Sequence, residues 1–356
     1  MAKEGISEAL YLDCVPRFVG PALERLYENV FSVLPREDHG ASDLSTYVET
    51  RDGQPQTLLL FRRRGHVVQV VNEGIQIDAA RIERFAARVF RTFPSVSVIR
   101  FNAIRAELDR CSLPFQKAPC SEDIIVTLPG SVDAYFSSLG NATRKNIKRY
   151  RNRFARCFPE ARHRVLSGAE VTQQHITAIL SLNQARMASK QKLSAYAAGP
   201  SEQLADLVRR YGFVTVLELD GRVMAGEICS RIGRNYFSHI GAHDPAYDDY
   251  GLGTLSCYLT ICECIRRGGA AFHFLWGRYQ YKFLLGGVQH ELARLTLYRS
   301  LTQLCLNGHT ALQFALHEQL RKIRHAAERS PAMPAAQRAR QLLVRMRHPA
   351  LPLHRQ

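Results

Sequence analysis

A Gly-Leu-Gly-Thr segment at residues 251–254 opens a predicted helix directly after a predicted strand. The backbone N–H groups in the first turn of a helix have no intrahelical partners and lie at the positive end of the helix dipole. Glycine lets a phosphate approach those groups closely, although the same pattern also suits a plain tight turn into a helix. The candidate ligands for an anionic group are therefore Gly251, Leu252, Gly253 and Thr254.

Two stretches of the chain hold its excess positive charge. Between Arg144 and Arg164 nine Lys or Arg stand against one acidic residue, and the same count holds between Arg321 and Gln356. Each stretch has a net charge of +8, and together they account for the formal net charge of +16. The protein is thus basic on two local surfaces, which would attract an anionic partner or substrate.

The first basic stretch predicts an amphipathic helix that Asn141 caps. Its apolar side chains recur at spacings of three and four, at Ile147, Tyr150, Phe154 and Cys157. Cations occupy the remaining face, and those expected to bind an anionic substrate are Arg144, Lys145 and Arg149. A solvated face is the simpler alternative, but the mutual repulsion of so many like charges favours a bound anion.

The elements that would position these residues occur twice in the same order: a β-hairpin, a helix and a further strand. The first set is predicted at residues 57–61, 67–71, 78–91 and 96–101. The second set is predicted at 213–219, 223–230 with an extension at 235–240, 252–267 and 271–275. A separation of roughly 155 residues is too long for a solenoid and suits two related α/β lobes.

We therefore predict an α/β protein with two tandem lobes, each a mixed, mostly antiparallel sheet flanked by helices. The predicted divisions are a first lobe at 1–140, a basic connecting helix at 141–159, a second lobe at 160–300 and a basic helical tail at 301–356. Prolines at 331, 334, 349 and 352 mark that tail as an appendage.

Cysteine usage and hydropathy indicate the compartment. The nine cysteines are scattered and form no paired metal-ligand motif, so we expect reduced thiols and no metal. Neither a signal peptide nor an apolar run of the roughly 20 residues of a membrane span is visible. A cytoplasmic protein is predicted, with peripheral contact at the inner membrane surface left open and no prediction of oligomeric state.

Five motifs in the second half of the chain carry a resemblance to a known family. They lie at residues 219–226, 241–245, 251–253, 274–277 and 279–282, and the cationic segment 144–149 precedes them. In this order they resemble the acetyltransferase domain of the CelD-type and Fem-type members of the GNAT superfamily. Gln184, Arg186 and Lys190 resemble the helix that follows the cationic segment in that branch.

The resemblance implies an N-acyltransferase that moves an acyl group, in the first instance acetyl, from acyl-CoA to an amine by direct attack. Such a reaction needs a base, stabilisation of the oxyanion and an acid for the leaving group. The expected catalytic residues are His239, His243, Asp244 and Tyr281. The expected substrate contacts, besides the cationic helix, are Arg186, Lys190, Trp276 and Lys282. The implied acceptor is an anionic small molecule or a lipid or cell-envelope precursor.

One departure from the family pattern concerns the donor. Relatives that bind coenzyme A usually have Gln or Arg three residues before the first glycine, whereas this chain has Asp248 beside Asp249. Carboxylates repel phosphate, so an aminoacyl-tRNA donor, as in the Fem proteins, stands as the alternative. A second alternative is a non-catalytic protein with a degenerate core whose basic stretches bind an anionic partner.

Overall fold

The computed structural model of the protein describes residues 6–11, 44–52, 54–189 and 201–308. The first four strands are β1 (Ile6–Tyr11), β2 (Leu44–Arg51), β3 (Gln54–Arg64) and β4 (Val67–Val70). They are followed by β5 (Gln76–Asp78), α1 (Ala79–Thr92) and β6 (Val98–Glu107), and β6 pairs in parallel with β4. The elements predicted in this first half, residues 44–107, are confirmed, and the apolar face of α1 is buried.

A connecting segment leads to the second half. It consists of β7 (Phe115–Thr127), α2 (Val132–Ser138) and α3 (Asn141–Cys157). The second half, residues 162–284, begins with β8 (Arg162–Ser167), α4 (Gln173–Ser189), α5 (Ser201–Tyr211), β9 (Gly212–Leu219), β10 (Arg222–Ile232), β11 (Asn235–His243), α6 (Leu252–Arg266) and β12 (Ala271–His273). The last elements are α7 (Gln280–Leu284), β13 (Val288–Tyr298) and α8 (Leu301–Leu306).

Thirteen strands of the described residues form one mixed sheet. The order is β1-β2-β3-β4-β6-β13-β7-β12-β11-β10-β9-β8, with β5 beside β6. Strand β7 follows β6 in the chain but pairs with β12 and β13, whereas β13 follows β12 but pairs with β6 and β7. We predicted a separate sheet for each lobe. Because each half gives its next strand to the other, the two sets of strands join into a continuous sheet.

Helices on one face of the second half share a hydrophobic core. The core contains Ile147 of α3, Ile261 of α6 and Leu285 after α7, together with Tyr135 of α2. Helices α4 and α5 pack on a different core, formed with Ile228 of β10. Consequently α2, α3, α6 and α7 lie together, and Tyr281, one of the predicted catalytic residues, packs against their core.

One local prediction, the cap of helix α3, needs correction. Helix α3 begins at Asn141 itself, and Gly140 occupies the cap position without a side-chain cap. Helix α6 is buried on several sides, and its buried residues include Cys257, Ile261 and Cys264. The helix is covered by the sheet on one side and by α2 and α3 on the other, so most of its surface is apolar.

The chain divides into two compact units, Met1–Leu301 and Thr302–Gln356. The predicted basic tail lies outside the described residues from position 309 onward. Among the described residues, no helix is both long enough and apolar enough to cross a bilayer.

Candidate active site

The sheet opens where β11 separates from β12. Strand β12 pairs with only the first three residues of β11, Asn235–Phe237. Directly afterwards the register of β11 against β10 shifts at His239, which forms a bulge. From Ser238 to His243 the strand therefore has no pairing with β12, and a polar cluster lies at this opening.

Glu227 of β10 is the buried carboxyl of this cluster, with 4% of its surface exposed. Its carboxylate accepts a hydrogen bond of 2.8 Å from the Ser238 hydroxyl and another from the Cys257 thiol. Burial raises the pKa of Glu227, and the hydrogen bonds and nearby cations offset this effect only in part. A Cβ on Gly241 would collide with the carboxylate, so glycine is required there. Within the described ranges, no cation forms an ion pair with Glu227.

Tyr281 of α7 lies at the same opening. Its ring packs edge-on against Phe274, with 5.8 Å between the ring centroids. Burial raises the pKa of Tyr281 well above its usual value, and the neighbouring Cys257 and Glu227 raise it further. The phenol therefore keeps its proton at neutral pH and is able to donate it. Together, Glu227, Ser238, Cys257 and Tyr281 are called the Glu227 cluster below.

Arg186 reaches the cluster from α4. Its Nη2 atom donates a hydrogen bond of 3.3 Å to the Gly241 carbonyl. The guanidinium charge acts against the rise in pKa of both Glu227 and Tyr281. The predicted substrate contact Arg186 is thus next to the Glu227 cluster, whereas Lys190 lies outside the described residues.

Lys282 is buried and turned toward the backbone. Its Nζ atom donates to the carbonyls of Phe274 and Trp276 at 2.9 and 2.7 Å. Burial lowers the pKa of Lys282 to about 8. The ammonium therefore holds the segment between β12 and α7 in place, in a stretch where Leu275 adopts a left-handed conformation with φ 58°. Trp276 itself is 52% exposed.

The first turn of α6 has open donors. Gly251 occupies the cap position with φ 62° and no side-chain cap, so the N–H groups of Leu252, Gly253 and Thr254 have no capping partner among the described residues. The Asp248 carboxylate is paired with His243, with 2.6 Å between its Oδ1 atom and His243 Nε2. This end of the helix is therefore suited to an anion.

The two glycines also serve protein packing. A Cβ on Gly251 would lie 2.5 Å from the ring of Tyr150, and a Cβ on Gly253 would lie 2.5 Å from Nδ1 of His243. The space above each Cα is thus taken by a side chain of the protein. A ligand at this end of α6 would meet the backbone N–H groups, with Tyr150 and His243 as walls.

Helix α3 brings the cationic segment to the same place. Arg153 donates a hydrogen bond of 3.0 Å to the Asp249 carbonyl and lies 4.6 Å above the ring of Tyr250. Arg144 donates to the Ser137 carbonyl, while Lys145 and Arg149 are exposed. Two separate sequence predictions, the glycine-led helix and the cationic helix, therefore meet at one anion-attracting surface.

The other predicted catalytic residues lie apart from the Glu227 cluster. His239 Nε2 is 2.8 Å from the Ser230 hydroxyl, on the sheet face that carries Ile228 and α4. His243 is paired with Asp248, and Asp244 forms a 2.6 Å ion pair with Arg222. Of the four predicted catalytic residues, the structure brings only Tyr281 to the opening.

The sequence analysis did not select Glu227, Ser238 or Cys257. A usable signal was present, because Glu227 is the one carboxyl in the apolar run of β10, Val223–Ile232. A buried acidic residue without a salt bridge is rare outside functional sites.

The comparisons with known proteins bear on this site directly. A family model described as the acetyltransferase (GNAT) domain matches residues 141–283. These residues are a GNAT acetyltransferase domain. The GNAT domain contains the whole Glu227 cluster and the first turn of α6. No curated protein sequence matches the chain.

Solved structures share the fold over most of the chain. FemX matches with a TM-score of 0.62 at 9% identity, covering 84% of this chain and 99% of that chain. L-PGS from Bacillus licheniformis matches with a TM-score of 0.49 at 12% identity, covering 82% of this chain and 94% of that chain. At 9% identity, the likeness to FemX shows a shared fold over 84% of this chain.

Proposed function

We propose that this protein is an N-acyltransferase whose reaction takes place at the Glu227 cluster. The observation that carries the proposal is a buried carboxyl that forms no ion pair with any cation of the described residues, at the opening between two strands of a GNAT domain. A carboxyl whose pKa is raised is a better match for an amine proton than an ordinary glutamate.

In the proposed reaction, Glu227 removes a proton from the ammonium group of the acceptor. The amine nitrogen attacks the acyl carbonyl, forming the C–N bond, and the bond from the carbonyl carbon to the sulfur or oxygen of the carrier breaks. The attacking nitrogen loses its second proton to solvent as the amide forms, while Tyr281 gives its phenolic proton to the leaving atom and regains one from solvent. Ser238 and Cys257 act as positioning residues, because both donate hydrogen bonds to the Glu227 carboxylate.

The donor is proposed to place its phosphates at the first turn of α6. The uncapped N–H groups and the nearby Arg153 support an anionic carrier. Cys257 lies five residues beyond Leu252, so about 7.5 Å of helix separates the phosphate position from the Glu227 cluster. Acyl-CoA, with acetyl-CoA first, is the leading donor.

An aminoacyl-tRNA is the second candidate donor. It is supported by the exposed cations of α3, a much larger positive surface than one pyrophosphate needs, and by the fold shared with FemX. The acceptor is proposed to be an amine on an anionic small molecule or on a lipid or cell-envelope precursor.

Calorimetry and carrier release separate the two donors. The purified protein is titrated with a panel of acyl-CoAs, and release of free thiol is followed with amine acceptors, using Glu227→Gln as the matched control. The acyl-CoA proposal fails if neither heat nor thermal stabilisation is seen with any member. For the alternative, charged tRNA should bind with an affinity that falls steeply as salt is added. Absence of binding at low salt removes it.

We also propose that the two halves are tandem GNAT-like lobes. The parallel pair β4 and β6 around α1 has the same topology as β11 and β12 around α6. The division into 1–140, 141–159, 160–300 and 301–356 stays a prediction.

A further inference from the structure

The outer side of helix α7 exposes large apolar side chains next to the proposed site. Five residues within 276–288 form this apolar rim: Trp276 at 52%, Tyr279 at 41%, Phe283 at 39%, Leu284 at 47% and Val288 at 60% exposure. The inner side of the same helix is buried through Lys282 and Leu285. Soluble monomers seldom expose so many large apolar groups together unless the surface binds something.

The cationic face of α3 lies on the same side of the sheet. This face is formed by exposed side chains, namely Lys145, Lys148, Arg149, Arg151 and Arg156. Among the described residues, none of these cations is in an ion pair with a carboxylate. They are therefore available to a negatively charged partner.

Helix α2 links the apolar rim to the cationic face. The Tyr135 hydroxyl of α2 donates a hydrogen bond of 3.0 Å to the Leu285 carbonyl at the end of α7. The next residue of α2 is Phe136, and Lys148 Nζ of α3 lies 5.5 Å from the centroid of its ring. Since α2, α3 and α7 also pack on one core, their outer sides form a continuous surface.

We propose that the apolar rim and the cationic face together bind an anionic membrane surface. Membrane-surface helices combine buried aromatic and aliphatic side chains with Lys and Arg that attract anionic headgroups. A nucleic acid would bind through the cations and stack on the aromatic rings, but it would make no such contact with the aliphatic side chains of Leu284 and Val288. The inference goes beyond the proposed function, since binding to a bilayer does not depend on catalysis by Glu227.

Such binding would place the opening at the lipid interface. Tyr279 of the apolar rim stacks on Tyr281 of the Glu227 cluster, with 6.3 Å between the ring centroids. An amine carried on a lipid headgroup would then reach the cluster without leaving the membrane. The surface thereby favours a membrane-embedded amphiphile among the acceptors.

Vesicle flotation with the full chain tests this inference. Two probes are used, vesicles of phosphatidylcholine alone and vesicles of an equimolar mixture of phosphatidylcholine and phosphatidylglycerol. The protein should float with the mixed vesicles and bind phosphatidylcholine at least about tenfold more weakly, because each cation near an anionic surface contributes. Glu227→Gln should float like the wild type, which keeps this result separate from the proposed chemistry.

Paired variants identify the two parts of the surface. Phe283→Ser with Leu284→Ser should weaken binding to mixed vesicles about tenfold or more, since both apolar contacts are lost. Lys148→Glu with Arg151→Glu should weaken it by a similar factor and remove the preference for phosphatidylglycerol. The controls are Leu301→Ser, and Arg64→Glu with Arg91→Glu, which change exposed residues of the same kinds elsewhere in the unit Met1–Leu301. Circular dichroism confirms that each variant is folded.

Three outcomes would overturn the inference. The first is no flotation with either vesicle at low salt. The second is flotation that the control variants reduce as strongly as the paired variants of the apolar rim and the cationic face. The third is binding that depends on Lys148 and Arg151 alone and is competed by single-stranded RNA, which would make the cationic face a nucleic-acid surface.

Discussion

Helix α1 in the first half and helix α6 in the second half occupy equivalent places, each linking two strands that pair in parallel. Asp78 caps α1, and its carboxylate accepts a hydrogen bond of 2.8 Å from the Arg81 N–H. Gly251 holds the same position in α6 and offers no side chain. The first helix therefore has a built-in anion, whereas the second leaves its positive end open to a ligand.

Buried charge differs between the halves in the same way. In the first half, Glu49 and Arg84 form a bidentate pair at 2.6 and 2.9 Å, which raises the pKa of Arg84. In the second half, burial raises the pKa of Glu227 and lowers that of Lys282 to about 8. Matched charge stabilises a fold, while unmatched buried charge is typical of a site that does chemistry.

The largest expected effect is on catalysis by the second half. Glu227→Gln should reduce acyl transfer by roughly 10²–10⁴-fold, because the amide cannot accept a proton. Folding stability at neutral pH should be unchanged or higher. A raised pKa means that the native state loses stability as pH rises above the usual glutamate value, and the amide removes this loss. Steady-state kinetics and denaturant unfolding measure the two effects.

Full activity of Glu227→Gln would contradict the difference between the two halves, since the carboxyl would then have no part in proton transfer. Strong destabilisation of the variant would also contradict it, because Glu227 would then have a structural role like that of Glu49. Tyr281→Phe, which keeps the ring and removes only the hydroxyl, is the companion variant.

Lys282 should give the second half a distinctive dependence on alkaline pH. Its pKa is about 8 in the folded protein against a usual value of 10.5, so the unfolded chain binds more protons between these values. Stability should therefore rise with pH through this window, by about 3 kcal/mol in total. Denaturant unfolding across the window measures the slope.

Lys282→Met supplies the reference for that slope. Buried tyrosines and thiols with raised pKa values lower stability at high pH in both proteins. The difference between the two slopes therefore reports Lys282 together with its effect on the neighbouring Cys257 thiol. Equal slopes would mean that the ammonium is solvated and that its pKa is ordinary.

Breaking the matched pair of the first half should affect stability alone. Glu49→Gln leaves Arg84 without its carboxylate and should lower the free energy of unfolding by about 2–3 kcal/mol. This is less than for a fully buried pair, because 28% of the Arg84 side chain is exposed. The rate constant of transfer in the folded enzyme should not change. A loss of kcat without loss of stability would give the first half a catalytic role.

Much of the fold could be predicted from the sequence because periodicity is a local property. The apolar spacing of α1 and the glycine turn between β3 and β4 specify those elements through neighbouring residues. The single sheet could not be predicted in this way. It depends on pairing β7 with β13, for instance Asp123 with His290, across a sequence separation that no local pattern encodes.

The site was predicted less completely for a related reason. The glycine-led helix start and Tyr281 follow from motifs, but the role of a strand residue depends on the face it occupies. His239 faces Ser230 because a bulge alters the alternation of β11. Glu227 faces α6, where Cys257 and Ser238 meet it, and only the assembled sheet brings these three residues together.

The smallest effect tests whether the open helix end is shaped by packing. Gly253→Ala should destabilise the protein by about 1–2 kcal/mol, because its Cβ would lie 2.5 Å from His243 Nδ1. Adding His243→Ala removes the collision, and alanine is about 1 kcal/mol better than glycine inside a helix. The double variant should therefore be more stable than the sum of the single changes predicts, as measured by a double-mutant cycle. Additive changes would mean that His243 does not fill the space above Gly253 and that a ligand has direct access to it.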